Sequence, residues 1–281
     1  HYGKFTNQNI TKNAPFLWLD INACRNQIIK FYDEKVDIHS YVLLCSLIGN
    51  DFLPQLSYLS IQNDGIDRIM SIYKNIIETF DVSLITINDN DEYTINYDIL
   101  TLIFDKLREN EYIEMKRLHD NYYKKNMIFK TNKLKYEYYG VSHKNNKTND
   151  IFNYKNWRFY YYTRFSHMNS HNDTIINDAC NSYIQGLNWI VDYYFNKKIK
   201  NNWYYPYNYS PSVLDVYNYI EVHKNDTLTL NDETKYIINE DIQLLMIIPR
   251  ASISVLPDNL QDIINNTKSI GYLYPIDFYI E

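Results

Sequence analysis

Gly49-Asn50-Asp51-Phe52-Leu53-Pro54 follows an apolar run, Tyr41–Ile48 (YVLLCSLI). A buried helix that stops at a glycine, an amide, a carboxylate and a proline predicts a sharp turn. That turn sets Asp51 at the mouth of a packed element, where a carboxylate is costly unless something pairs with it. A metal ion is one such partner. Working outward, Asp37 is placed to start the helix that ends at Gly49. Upstream, Asp20 or Asn22 caps a helix through Tyr32, and Phe16–Ile21 reads as a strand entering the core. Downstream, Ile66, Ile69, Ile72, Tyr73, Ile76 and Ile77 give Gly65–Phe80 a helical apolar period. Asp64 and Asp67 flank Gly65 and read as carboxylates at that helix start. Asp81–Glu92 is polar and turn-like, and Tyr97–Tyr123 reads as a long helix.

From Lys116 to Lys147 the character changes: nine lysines and arginines face Asp120 and Glu137 alone in our reading. This predicts an exposed basic segment, either solvated or in contact with phosphates. A second region begins near Asn153. Trp157–Phe165 is dense in aromatics, Asn177–Phe195 is helical in pattern, and Pro211–Ile220 and Asp241–Ile247 suggest two further helices. Trp203–Pro211 (WYYPYNYSP) suits an ordered irregular loop. Its rings can simply pack, or they can form a platform on which a nucleobase stacks. The expected organisation is therefore residues 1–112, a basic linker over 113–152, and a second helical and aromatic region over 153–281.

Composition sets bounds on function. The chain has 281 residues and a net charge of −6, which argues against a surface that binds nucleic acid everywhere but allows a local basic groove. The three cysteines are far apart with no C-x-x-C, and Cys24 and Cys45 read as buried thiols. This favours a reducing compartment, cytoplasmic with a nuclear site also compatible. No apolar run approaches the ~20 residues that span a bilayer, so no membrane partner is expected. The chain opens on His1 and reads as a piece of a longer protein. Thirty tyrosines amid abundant Asn, Ile and Lys point to compositional background rather than function for much of the Tyr and Asn content.

The sequence lacks G-x-x-x-x-G-K-[ST], H-E-x-x-H and G-x-S-x-G signatures. Six glycines are too few for a Gly-rich phosphate cradle of the usual kind. His167 and His171 are four apart, but their Ser, Asn and Asp neighbours favour a loop over a helical metal site. One carboxylate, Asp51, cannot hold a two-metal hydrolytic centre, which needs several oxygen ligands. If Asp51 is a ligand, its partners lie mostly outside this chain.

These stretches resemble the Xrn-type 5′→3′ exoribonucleases. Tyr41–Pro54 looks like that family's F-x-L-L-C-x-L-L-G-N-D-F-L-P-H segment, and Gly65–Lys74 continues it. Tyr183–Phe195 (YIQGLNWIVDYYF) followed by Trp203–Pro211 is similar to Y-x-E-G-L-x-W-V-L-x-Y-Y-Y leading to W-Y-Y-P-Y-H-Y-A-P. Trp157–Phe165, Ile248–Pro257 and Pro275–Tyr279 resemble further family elements. The resemblance implies an α/β, predominantly helical fragment that completes a mixed-sheet nuclease core of the PIN and flap-endonuclease kind. It implies hydrolysis of single-stranded 5′-monophosphate RNA with Mg²⁺ (or Mn²⁺). Asp51 takes the role of a metal-binding catalytic carboxylate, and Trp203, or else Trp189, takes that of the ring stacking on RNA. The other acidic ligands and the 5′-phosphate pocket are implied to lie in the N-terminal part of the same protein. Gln55, Asn208, Asn201 and Gln185 depart from the family pattern, which keeps open a catalytically inactive RNA-binding or decay-scaffold relative.

Overall fold

A computed structural model describes residues 19–126, 152–165, 173–198, 203–224 and 240–266. Its chain divides into two compact units, one of residues 1–197 with 205–228, the other of residues 198–204 with 229–281. The expected His167–His171 pair, the Pro275–Tyr279 element and most of the basic segment lie outside the described residues, as does Phe16–Leu17–Trp18 of the expected strand. Ile21, at the end of that strand, instead opens a helix, α1 (Ile21–Phe31), because Asp20 accepts a hydrogen bond from the Ala23 amide at 2.9 Å and caps it.

The first unit is helical. Helix α2 (Ile38–Ser46) starts at Asp37, whose Oδ1 accepts from the Ser40 amide at 2.8 Å. Helix α3 (Gly65–Phe80) buries Ile69, Met70, Tyr73, Ile76 and Ile77 on one face. Asp64 precedes it in the left-handed region at φ 57° and makes no side-chain cap. Asp64 thus stands at the helix start without capping it. Helix α4 (Tyr97–Asn126) is the longest element and contacts α3. Position 112 falls inside it. Helix α5 is Tyr154–Phe165, and α6 is Asp173–Val191. A π-helical turn, Asp192–Asn196, extends α6 and ends at Lys197 with φ 55°. Helix α7 (Val213–His223) lies along α4 and also touches α6.

The polar stretch read as a turn holds a small hairpin. Strands β1 (Ile85–Ile87) and β2 (Tyr93–Ile95) pair antiparallel, with Ile85 opposite Ile95 and Ile87 opposite Tyr93. Asn196 completes the β2 edge. Its Oδ1 accepts from the Tyr93 amide at 2.8 Å and its Nδ2 donates to the Tyr93 carbonyl at 2.9 Å. One amide side chain thus stands in for a third strand and ties the π-helical turn to the hairpin.

Two carboxylates inside this unit organise it. Glu111, on α4, is 1% exposed. Its Oε1 accepts from the Ser57 hydroxyl at 2.6 Å and the Val213 amide at 2.9 Å, and its Oε2 accepts from the Tyr154 hydroxyl at 2.8 Å and the Leu214 amide at 3.0 Å. It therefore caps α7 from another helix and satisfies amides that have no intrahelical acceptor. Burial pushes its carboxyl above the ordinary glutamate range, while these four hydrogen bonds pull the other way. Asp215, in the first turn of α7, takes a two-nitrogen contact from Arg158 together with the hydroxyls of Tyr162 and Ser212. Between them these groups lock α4, α5 and α7.

The second unit is built separately. Helix α8 (Glu240–Ile247), a 3₁₀ stretch (Arg250–Val255) and α9 (Asp258–Asn265) close over Ile248, Leu256 and Ile264. Pro249 and Pro257 begin the last two elements, where a missing N–H costs nothing. The described residues are thus mostly helical, and their sheet is the two-stranded hairpin.

Candidate functional site

Helix α2 ends at the Gly49–Pro54 turn. Gly49 has φ +98°, a region that side chains rarely adopt. A Cβ there would also sit 3.0 Å from the Gln55 backbone nitrogen. Next, Asn50 bends the chain over itself. Its Oδ1 accepts from the amides of Phe52 at 2.9 Å and Leu53 at 2.8 Å, while its own amide donates to the Leu53 carbonyl at 3.0 Å. Asp51 occupies the tip and is exposed. Among the described residues none is recorded donating to its carboxylate. The desolvation cost expected at the mouth of a packed element does not arise, because the Asp51 residue itself is exposed.

Beyond Asp51 the chain dives back. Leu53 is buried, and the Phe52 ring lies 4.7 Å from Trp189, 5.4 Å from Tyr193 and 6.3 Å from Tyr194. Trp189 is 5% exposed and stacks on Tyr193 at 5.0 Å with 9° between the rings. Tyr183, one turn and a half earlier on α6, donates from its hydroxyl to the Pro54 carbonyl at 3.2 Å. So α6 and its π-helical extension grip both sides of the Asp51 tip. An open cavity of about 350 Å³ adjoins the same turn, lined by Tyr41, Cys45, Ile48, Gly49, Asn50, Ile61, Ile66 and Tyr194 among others. Partial burial pushes the Tyr41 hydroxyl there up to about 12 and raises the Cys45 thiol as well.

The two tryptophans differ in setting. Trp189 belongs to the first unit and packs within a few residues of Asp51. Trp203 is half-buried and belongs to the second unit, with its neighbour Tyr204 74% exposed. The rest of the aromatic loop is anchored in the first unit: the Tyr161 hydroxyl donates to the Ser210 carbonyl at 2.6 Å, and the Tyr205 hydroxyl to the Tyr209 carbonyl at 2.9 Å. Cys24 and Cys45, expected to be buried, are half-buried; Cys180 is the buried thiol, and all three are free. Among the described residues no group of three His, Cys, Asp or Glu side chains is placed to hold a metal ion. No helix among them is long and apolar enough to cross a membrane.

Residues 31–156 and 151–281 match the family described as the Xrn1 helical domain. The chain belongs to that family. Human 5′-3′ exoribonuclease 1 is 25% identical to it over 295 residues, covering 92% of this chain and 17% of the human protein. A Drosophila melanogaster 5′-3′ exoribonuclease 2 homolog is 22% identical over 299 residues, covering 89% of this chain and 32% of the fly protein. Schizosaccharomyces pombe 5′-3′ exoribonuclease 2 is 29% identical over 130 residues, 44% of this chain. The chain therefore spans a third or less of the length of these relatives.

Sequence reasoning missed the residues that set the turn. Asn50 carries a readable signal, since an asparagine after a glycine at a helix end commonly bonds amides two and three residues on. Glu111 also carries one: it falls on the stripe Phe104, Leu107, Met115, Leu118, where a carboxylate must be paired. The reach of Tyr183 to Pro54, across 129 positions, has no local signature.

Proposed function

We propose that this chain is the helical part of a 5′→3′ exoribonuclease that removes nucleotides from single-stranded 5′-monophosphate RNA by metal-dependent hydrolysis. The observation that carries the reading is the Asp51 turn: a carboxylate held out to solvent at the tip of a turn that two family-matching segments build together. An exposed carboxylate on a rigid turn fits a hard divalent cation such as Mg²⁺ or Mn²⁺. It offers one ligand, so the remaining ligands are assigned to the N-terminal part of the same protein, with which this chain would complete a PIN-like core. When bound, the ions supply an activated water and stabilise the charge that develops on the phosphate. Asp51 holds its place in that ligand set, and the gripping rings around Phe52 keep the tip from moving. Trp203, half-buried, is assigned to base stacking ahead of Trp189, which is 5% exposed. The division at 112 and 152 belongs to this reading as a division of conserved regions. The free thiols suit a reducing compartment, cytoplasm or nucleus.

The substitutions at Gln55 and Asn208 favour a second reading, an inactive RNA-binding or scaffold protein of the same family. The discriminating experiment uses the full-length protein with Mg²⁺ on single-stranded 5′-monophosphate RNA. Stepwise release of mononucleotides from the 5′ end supports the enzyme. Binding without any loss of RNA supports the scaffold. The 281-residue chain alone is expected to be nearly inactive in the same assay.

A further inference from the structure

We infer that Asn50 and Tyr183 are positioning residues for the Asp51 carboxylate, acting from opposite ends of the turn; this rests on the metal-ligand reading above. Asp51 is exposed, so no packing of its own side chain fixes its direction. Its direction is inherited from the backbone on either side. On the upstream side, the Asn50 carboxamide oxygen accepts from two successive amides, at 2.9 and 2.8 Å, and its backbone N–H closes the same loop on Leu53 at 3.0 Å. These bonds fold a three-residue bridge directly around Asp51. On the downstream side, the Pro54 carbonyl receives the Tyr183 hydroxyl at 3.2 Å, from a ring that is fully buried on α6. Pro54 limits the chain further by fixing its own φ. Residue 51 is thus suspended between two hydrogen-bonded clamps, and neither clamp touches its carboxylate.

Groups that orient a metal ligand without binding the metal have a recognisable effect when removed. Metal affinity or turnover falls by about 10–100-fold while the ligand itself remains. Asn50 also leaves its Nδ2 pointing away from these two amides, so a direct contact to substrate is the competing role, and the two roles predict different variants. Asn50→Asp keeps an acceptor oxygen for both amides and loses the amide donor. Asn50→Ala loses the acceptor.

The test uses the full-length protein, measuring kcat, KM for RNA and the Mg²⁺ concentration at half-maximal rate, with thermal unfolding alongside. Asn50→Ala is expected to lower kcat or raise the Mg²⁺ requirement by about 10–100-fold, with KM for RNA little changed. Asn50→Asp is expected to recover most of that loss. Tyr183→Phe, which removes one hydroxyl from a buried ring, is expected to give a smaller change of the same kind. Wild-type kcat together with wild-type Mg²⁺ dependence in Asn50→Ala overturns the inference. So does an Asn50→Asp protein that folds but stays as defective as Asn50→Ala, since the amide donor would then be what matters. Full activity in Asp51→Ala would instead bring down the metal-ligand reading itself, and is distinguishable from both.

Discussion

Glu111→Gln replaces one oxygen of a buried carboxylate by an amide of nearly the same shape. In the folded chain Oε1 receives the Ser57 hydroxyl and the Val213 amide, and Oε2 receives the Tyr154 hydroxyl and the Leu214 amide. Whichever oxygen becomes NH₂, its hydroxyl neighbour can rotate and accept. The backbone N–H beside it cannot rotate, and one of Val213 or Leu214 is left facing a donor. A buried unsatisfied N–H costs about 1–3 kcal/mol. The expected destabilisation is therefore about 1–3 kcal/mol. With an m value of about 2 kcal/mol/M, the urea midpoint of the chain followed by far-ultraviolet circular dichroism falls by about 0.5–1.5 M. Glu109→Gln is the control: that side chain is 53% exposed and pairs with Lys106 three residues earlier on the same helix, so its effect stays within about 0.5 kcal/mol. Glu111 also imposes a pH dependence. Because its folded-state pKa is raised, the native chain holds more proton than the unfolded chain between the unfolded and folded pKa values. Stability due to this group therefore falls as pH rises from the ordinary glutamate value through the raised one, and the Gln variant loses that slope. A Glu111→Gln chain within about 0.5 kcal/mol of wild type would refute the claim that this carboxylate caps α7.

Gly49→Ala forces a side chain into φ +98° and against the Gln55 backbone. It should cost about 1–3 kcal/mol in the same unfolding assay; an unchanged midpoint would mean the turn relaxes freely. Asp215→Asn weakens the bond to Arg158, whose side chain is 25% exposed and Asp215's 9%. A loss of about 3 kcal/mol is expected, and a neutral result would show that the pair is dispensable. Trp203→Ala in the full-length protein should weaken single-stranded RNA binding by about 1–3 kcal/mol, measured by fluorescence anisotropy. Trp189→Ala should instead lower stability by about 3–5 kcal/mol. The reverse pattern would exchange the two roles.

The helical frame was legible because local signals agreed with the final packing. Asp20 and Asp37 cap the helices that their positions announce, and of the apolar period in Gly65–Phe80 Ile69, Tyr73, Ile76 and Ile77 are buried while Ile66 and Ile72 are half-buried. What was hidden depends on distant residues. The strands Ile85–Ile87 and Tyr93–Ile95 have three residues each, too few for an alternation to stand out in a polar stretch, and Asn196 finishes their edge from about a hundred positions away. Cys24 looked buried among apolar neighbours, yet α1 buries none of its residues. At the site, Gly49 and Pro54 announced a turn, and the turn is there. Its exposure was not readable, because an apolar helix says nothing about which way its exit faces. Nor was the grip of Phe52 by Trp189 and Tyr193, since contacts of that range are set by tertiary packing.

The central claim is that Asp51 is a metal-binding carboxylate of an RNA-degrading enzyme. Its most direct test is the Mg²⁺-dependent rate of 5′-monophosphate RNA degradation by full-length wild type and Asp51→Ala, with circular dichroism to compare their folds. The account predicts an unaltered fold, as expected for an exposed side chain, and a turnover reduced by at least about a hundredfold. A folded Asp51→Ala protein that degrades RNA at the wild-type rate would contradict it.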